Sequence, residues 1–300
     1  MSHLVFGATG AQGGAIARAL AERGHPVRGC TRRAATGRLA VPVTTGDLGD
    51  RGDVGRLFDG VTHAVLTLPL VYDPDTVAGY ARNVAEAARA AGVQRLVFNT
   101  NTSIPDRITP YAAFETRRAA EAILRDSGVP LVVLRPPVYL DNLLNPAVGA
   151  GIVDQGVLAY PLPADRRVAW LSHTDLAAAA LAALETPGID GQTVDVGGAE
   201  VVTGAELAAI IGRVVNRNVT YLPLEPEIFE RGLAQAIGAE AASGVAGLYK
   251  WASDPSGRDL YDVDPASASR VLGFHARPIA EWAAAQPWRQ WARAASTSKP

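Results

Sequence analysis

The chain has 300 residues, 48% of them apolar, enough for one large α/β domain or two smaller ones around a sizeable core. Its formal net charge is −2, and its 28 cationic residues include only the lysines Lys250 and Lys299, so no basic patch calls for nucleic acid or an anionic membrane as partner. A single cysteine, Cys30, excludes an intrachain disulfide and a thiolate metal cluster and fits a reducing cytoplasm; no apolar run reaches the length of a membrane span or of a secretory h-region.

Leu4-Val5-Phe6 reads as a buried strand, followed by Gly7, Gly10 and Gly13 and then by Ala15, Ile16, Ala19 and Leu20 at helical spacing, with Gly24 as the stop. In such a strand–turn–helix unit the first glycine permits the tight bend. The second lets the backbone approach a pyrophosphate, and the third lets helix and strand pack closely. The helix N-terminus offers free N–H groups and a positive dipole end to phosphate. Residues 26–30 form a second strand ending at Thr31-Arg32-Arg33. An acidic residue there would bind a ribose 2′-hydroxyl. Arginines match a 2′-phosphate bidentately instead, so Arg32 and Arg33 favour NADP(H) over NAD(H).

Residues 41–45 are a candidate third strand leading to Asp47, which suits either the adenine amino group, with Leu48 against the ring, or a plain turn. A short helix at 53–58 precedes a fourth strand at 64–68 that Pro69 ends; its carboxyl edge belongs beside the cofactor. Asp73-Pro74 opens a long helix to about residue 91, and 95–98 is the fifth strand. The polar run Asn99-Thr100-Asn101-Thr102-Ser103 follows and can supply hydroxyl and amide donors, Thr100 toward the cofactor and Asn101 and Thr102 toward a substrate, or form an ordinary loop. A helix at 111–127 and a sixth strand at 131–134 complete an alternation that predicts an α/β fold, a doubly wound parallel sheet of Rossmann type.

After Asn142 the rhythm changes. Residues 145–167 read as loops, 168–171 as a strand, 176–184 as a helix opened by Asp175, and 193–196 as a strand. Thr203…Glu206 has capping-box spacing, 219–221 is a short strand, 226–248 is mostly helical, and Trp282, Trp288 and Trp291 belong to a packed terminal helix. The expected organisation is a dinucleotide-binding domain over 1–150, with a returning segment near 168–198, and a smaller discontinuous α/β subdomain over 151–300 that is mainly substrate-binding.

These segments together resemble the NmrA-like branch of the atypical short-chain dehydrogenase/reductase superfamily. The resemblance rests on Gly-Ala-Thr-Gly-Ala-Gln-Gly at 7–13, Thr31-Arg32-Arg33, Phe114-Glu115-Thr116-Arg117 with Ala120-Glu121, Leu134-Arg135-Pro136 with Asp141-Asn142-Leu143, and Ser172-His173-Thr174-Asp175-Leu176-Ala177. It spans roughly residues 3–225 and only loosely the tail. It implies Thr9, Gly10, Ala11, Gln12 and Gly13 at the pyrophosphate, Arg32 at the 2′-phosphate, Asp47 and Leu48 at the adenine, Thr67, Leu68 and Pro69 near the adenine ribose and pyrophosphate, and Pro137, Val138 and Tyr139 near the nicotinamide. Asp175 and His173 read as structural.

The chain departs from the superfamily in one respect that bears on chemistry. The usual Tyr-x-x-x-Lys pair is absent, since Ala246 and Ala295 stand four residues before the two lysines. Arg117 stands where relatives often keep the lysine, with Ala113 at the tyrosine position; an arginine there is expected to hold ribose hydroxyls. The leading expectation is an NADPH-dependent reductase of a quinone, enone or other conjugated carbonyl, with Asn101, Thr102, Tyr72 and Tyr139 as candidate donors to the developing oxyanion. The alternatives are an NADP(H)-binding redox sensor without turnover and a protein that uses its cofactor in a non-redox isomerisation. A homodimer stays open, because helices paired between subunits look like ordinary amphipathic ones.

Overall fold

Strand β1 (His3–Phe6) is buried at all four positions, as a central parallel strand covered on both faces must be. It belongs to a computed structural model that describes residues 2–32 and 40–291. The chain continues through α1 (Ala11–Glu22), β2 (Val27–Thr31), β3 (Val43–Thr45), α2 (Arg51–Leu57), β4 (His63–Thr67), α3 (Pro74–Ala90), β5 (Arg95–Asn99), α4 (Ala112–Asp126) and β6 (Leu131–Arg135). Then come α5 (Pro146–Ala150), β7 (Val157–Tyr160), α6 (His173–Glu185), β8 (Thr193–Asp195), α7 (Gly204–Val215) and β9 (Thr220–Pro223). The chain closes with α8 (Pro226–Ile237), α9 (Ala239–Ser253), α10 (Ala266–Leu272) and α11 (Ile279–Ala284).

Seven strands form one parallel sheet in the order β3-β2-β1-β4-β5-β6-β8, so the chain reverses direction across the sheet between β1 and β4. Successive residues of each strand face opposite layers. Val5, Val65, Val97 and Val132 pack with Ile16 and Leu20 of α1 and Leu176 and Leu181 of α6. Phe6, Leu66, Phe98 and Val133 pack with Phe58, Val84 of α3 and Leu124 of α4. A third apolar cluster, with Leu143, Ile152, Trp170, Leu207, Ile211, Trp282 and Trp288, lies among the later elements around the two-stranded parallel sheet of β7 and β9.

Three expectations need correction here. Residues 145–167 are not simply loops: Asn145 caps α5 through Ala147 N–H, one turn of π-helix follows over Gly151–Gln155, and β7 then pairs with β9. Residues 168–171 do not form a strand; Val168 and Leu171 make only single bridges, to Val202 and Tyr139. Helix α6 is capped by Ser172 and not by Asp175, which sits one turn in and donates its N–H to the Ser172 hydroxyl at 3.0 Å. Residues 226–248 are mostly helical, as expected, in two helices divided by Gly238 at φ +86°. Among the described residues no helix is long and apolar enough to cross a membrane, and no group of three or more His, Cys, Asp or Glu could hold a metal ion.

Candidate functional site

The carboxyl ends of β1 and β4 flank the point where strand order reverses, the place where open α/β sheets bind ligands, and those of β5 and β6 follow on one side of it. Off β1, Gly7 takes φ +69° and its carbonyl accepts the Gly10 N–H at 2.8 Å. A Cβ on Gly13 would lie 2.4 Å from Gly7 O and 2.7 Å from Phe6 O, so α1 can sit this close to β1 only with glycine there. Gly10 is the N-cap of α1 and brings no side chain to the helix end. The N–H groups of Ala11, Gln12 and Gly13 have no acceptor among the described residues, and Gly14 N–H is the first to bond back, onto Gly10 O at 2.8 Å. This uncapped helix end is a cradle with the shape and polarity a pyrophosphate needs.

At its rim, Thr9 and Thr31 share a hydroxyl hydrogen bond of 3.2 Å, and exposed Arg32 has neither hydrogen bond nor ion pair among the described residues. Arg33 lies outside the described residues. Asp47 accepts Gly49 N–H at 2.8 Å and donates its own N–H to Asp53 at 3.0 Å, so its carboxylate shapes the turn, with Leu48 half-buried beside it. Thr67 closes β4; Leu68 is buried, and Pro69 is exposed.

Between β1, β5 and β6 the structure builds a hydrogen-bonded hub around Gln12. Its Oε1 accepts from Asn99 Nδ2 at 2.7 Å and from the Tyr139 hydroxyl at 3.0 Å. The Tyr139 ring packs on His173 at 4.7 Å between centroids, and Asp141 holds His173 through its backbone N–H at 2.8 Å and Nδ1 at 3.4 Å. Burial keeps His173 below its ordinary pKa, against the pull of Asp141, and pushes the Tyr139 phenol well up. Asn99 was not singled out from the sequence. The one signal for it was its place as the first polar residue at the end of β5.

Several expected ligand-facing residues are engaged elsewhere. The Thr100 hydroxyl, fully buried, donates to Thr102 O at 2.6 Å and contacts Leu134 O at 3.1 Å, which fixes the loop. Thr102 is 3% exposed and its hydroxyl faces Tyr261 at 3.5 Å. Asn101, in the left-handed region at φ 68°, donates Nδ2 to Leu68 O at 3.0 Å and so ties the β5 loop to the β4 loop. Pro137 and Val138 are buried, Val138 within the third cluster.

Arg117 departs most from expectation. Its side chain, 2% exposed, does not reach out for ribose hydroxyls. It donates to Pro69 O at 2.6 Å, Val71 O at 2.7 Å and Thr116 Oγ1 at 3.1 Å, and it lies over the Tyr72 ring at 4.7 Å. No carboxylate pairs with it among the described residues. A separate cleft of about 580 Å³ opens between the 103–107 loop, Arg135, Asp195 and the 251–270 segment, and shares none of the residues of the cradle or the hub.

Two curated relatives match over nearly full length. One is the (4-alkanoyl-5-oxo-2,5-dihydrofuran-3-yl)methyl phosphate reductase of Streptomyces griseus, 31% identical over 94% of this chain and 96% of that protein. The other is the NAD(P)H azoreductase of Xenophilus azovorans, 29% identical over 94% and 96%. Among solved structures, the Citrobacter sp. triphenylmethane reductase complexed with NADP(H) shares the fold, with a TM-score of 0.76 at 21% identity, covering 95% of this chain and 99% of that one. The NmrA-like family profile matches residues 3–282, and the chain belongs to the NmrA-like family.

Proposed function

We propose that the protein is an NADPH-dependent reductase that delivers hydride to a conjugated carbonyl, a quinone or an enone. The observation that carries this reading is the uncapped glycine cradle of α1 with the exposed guanidinium of Arg32 at its rim, unpaired among the described residues. The cradle suits a dinucleotide pyrophosphate, and the free guanidinium suits a 2′-phosphate. The relatives add support: one is named for NAD(P)H, and the substrate in the other's name is an oxo-dihydrofuran bearing an acyl group, itself a conjugated carbonyl.

When bound, the reduced dinucleotide supplies the hydride. This chain's residues hold and orient it. The N–H groups of Ala11, Gln12 and Gly13 take the pyrophosphate, Arg32 takes the 2′-phosphate, and Asp47, Leu48 and the segment Thr67-Leu68-Pro69 border the adenosine half. Asn99 and Tyr139 fix the Gln12 amide, which would keep the first turn of α1 in one conformation. A conjugated acceptor spreads the incoming charge onto its oxygen, so one hydrogen-bond donor suffices; such a donor contributes about 3 kcal/mol in comparable sites.

A panel of quinones, enones and simple ketones incubated with NADPH tests the reading. Loss of reduced-nicotinamide absorbance with the conjugated acceptors, and not with the simple ketones, is the expected outcome. A protein that binds NADPH yet oxidises it with no member of the panel overturns the reductase reading.

A further inference from the structure

Four side chains were candidates to donate to the developing oxyanion, and three of them are occupied by the fold. Asn101 Nδ2 holds Leu68 O, the Thr102 hydroxyl is buried against Tyr261, and the Tyr139 hydroxyl holds Gln12. Tyr72 differs. Its phenol makes no hydrogen bond among the described residues, although the residue is only 8% exposed. It stands in the loop that leaves the carboxyl end of β4, beside the reversal of the sheet.

The ring of Tyr72 is held on two sides. Arg117 covers it at 4.7 Å, and that guanidinium is in turn fixed by Pro69 O and Val71 O, the carbonyls just before Tyr72. On α9, a Cβ at Gly244 would fall 1.9 Å from Tyr72 Cδ2 and 2.1 Å from Cε2, so the ring fits against the helix only where no side chain exists. A buried cation without a carboxylate is expensive to keep; here it has an aromatic face and backbone carbonyls for company, and it leaves a positive charge beside a free phenol.

We propose that Tyr72 is the proton donor of the reduction and that Arg117 and Gly244, from distant parts of the same chain, position it, an arrangement that does the work of the missing Tyr-x-x-x-Lys. This rests on the reductase reading above. Hydride brings two electrons and one hydrogen to the conjugated carbon, and the displaced π pair moves to the carbonyl oxygen. The Tyr72 O–H bond breaks and its proton closes an O–H bond on that oxygen. The phenolate left behind sits beside the Arg117 cation and recovers a proton from water. Burial holds the Tyr72 phenol above its ordinary value, and Arg117 pulls against that shift.

The test joins kinetics to a readout that needs no turnover. Tyr72→Phe lowers kcat for an enone about 100-fold, in the range of a lost general acid, with KM and the NADPH dissociation constant unchanged. Gly244→Ala lowers kcat as well, and the double variant is no slower than Tyr72→Phe alone, because both changes remove one function. In ultraviolet difference titration against Tyr72→Phe, the Tyr72 ionisation moves to higher pH in Arg117→Met and stays in place in Arg117→Lys; where Arg117→Met does not fold, the Gly244 cycle decides. A Tyr72→Phe enzyme within about twofold of wild type, or additive effects in the cycle, overturns the donor assignment and leaves the reductase reading intact. A wild-type protein that binds NADPH and reduces nothing overturns the reductase reading instead, and the titration alone then decides whether Arg117 tunes Tyr72.

Discussion

A methyl group at position 13 would press on Gly7 O, Gly7 C and Phe6 O together, all backbone atoms with no rotamer to escape into. Gly13→Ala therefore moves α1 off β1 and misaligns the three free N–H groups. NADPH affinity, followed by fluorescence titration, is expected to fall on the order of 100-fold, about 2.7 kcal/mol. Arg32 acts on a different quantity. Its guanidinium is exposed and has no partner among the described residues, so removing it breaks no contact among them. Arg32→Ala is expected to weaken NADPH by roughly 10–100-fold, the worth of a charge-assisted bidentate contact, while NADH affinity and the unfolding temperature stay as they are. Equal losses for the two dinucleotides would remove Arg32 from the 2′-phosphate.

At the level of elements, α6 shows how a cap ties chemistry to architecture. Ser172, fully buried, accepts Asp175 N–H at 3.0 Å and donates its hydroxyl to Asp175 Oδ2 at 2.6 Å, while Arg277 approaches Oδ1 at 3.4 Å. Ser172→Ala removes the cap and one of the few partners of a carboxylate that is 4% exposed. A loss of about 2 kcal/mol follows, seen as a thermal midpoint several degrees lower. Because His173 is the first residue of α6 and packs on Tyr139, the same change is expected to loosen the Gln12 hub.

The strands of the large sheet were legible because short apolar runs stand between turn residues, and the boundaries moved by a residue or two. The run 168–171 misled for a physical reason. Val168, Ala169, Trp170 and Leu171 are all at most 2% exposed, and apolar character reports burial without saying whether a ladder partner lies alongside. The glycine cradle was legible because its logic is local. The hub was not, since Gln12 meets Asn99 and Tyr139 across 87 and 127 residues, and no spacing rule encodes such a meeting. The fate of Arg117 also depended on tertiary contacts, namely two carbonyls of a loop more than 40 positions earlier in the chain.

Across the whole molecule the sheet separates function from a second cluster of titratable groups. The carboxyl ends of the strands hold the candidate site; the amino ends bring three imidazoles together. His3 lies 4.7 Å from His25 and 5.2 Å from His63 between ring centroids, with His3 and His63 opposite each other on paired strands. Burial lowers His3 to about 4, and its two histidine neighbours add to the shift; burial and then Arg95 lower His63. Among the described residues, only His25 of the three has a carboxylate partner, Glu185 at 3.0 Å. In the unfolded chain the His3 ring titrates near 6.5, so between about 6.5 and 4 the unfolded state binds a proton there that the native state refuses. Stability is therefore complete above that window and falls as the pH falls through it, by up to about 3 kcal/mol from His3 alone. Urea midpoints measured from pH 7 down to pH 4.5 are expected to decline steeply for the wild type and more gently for His3→Gln, which keeps the polar contact to Pro26 O and cannot acquire charge. Parallel declines for the two proteins would show that the acid sensitivity of the fold arises elsewhere. Since the imidazoles and the glycine cradle lie at opposite ends of β1, the substitution is expected to leave NADPH affinity at pH 7.5 unchanged, and that pair of measurements separates acid unfolding from any loss at the site.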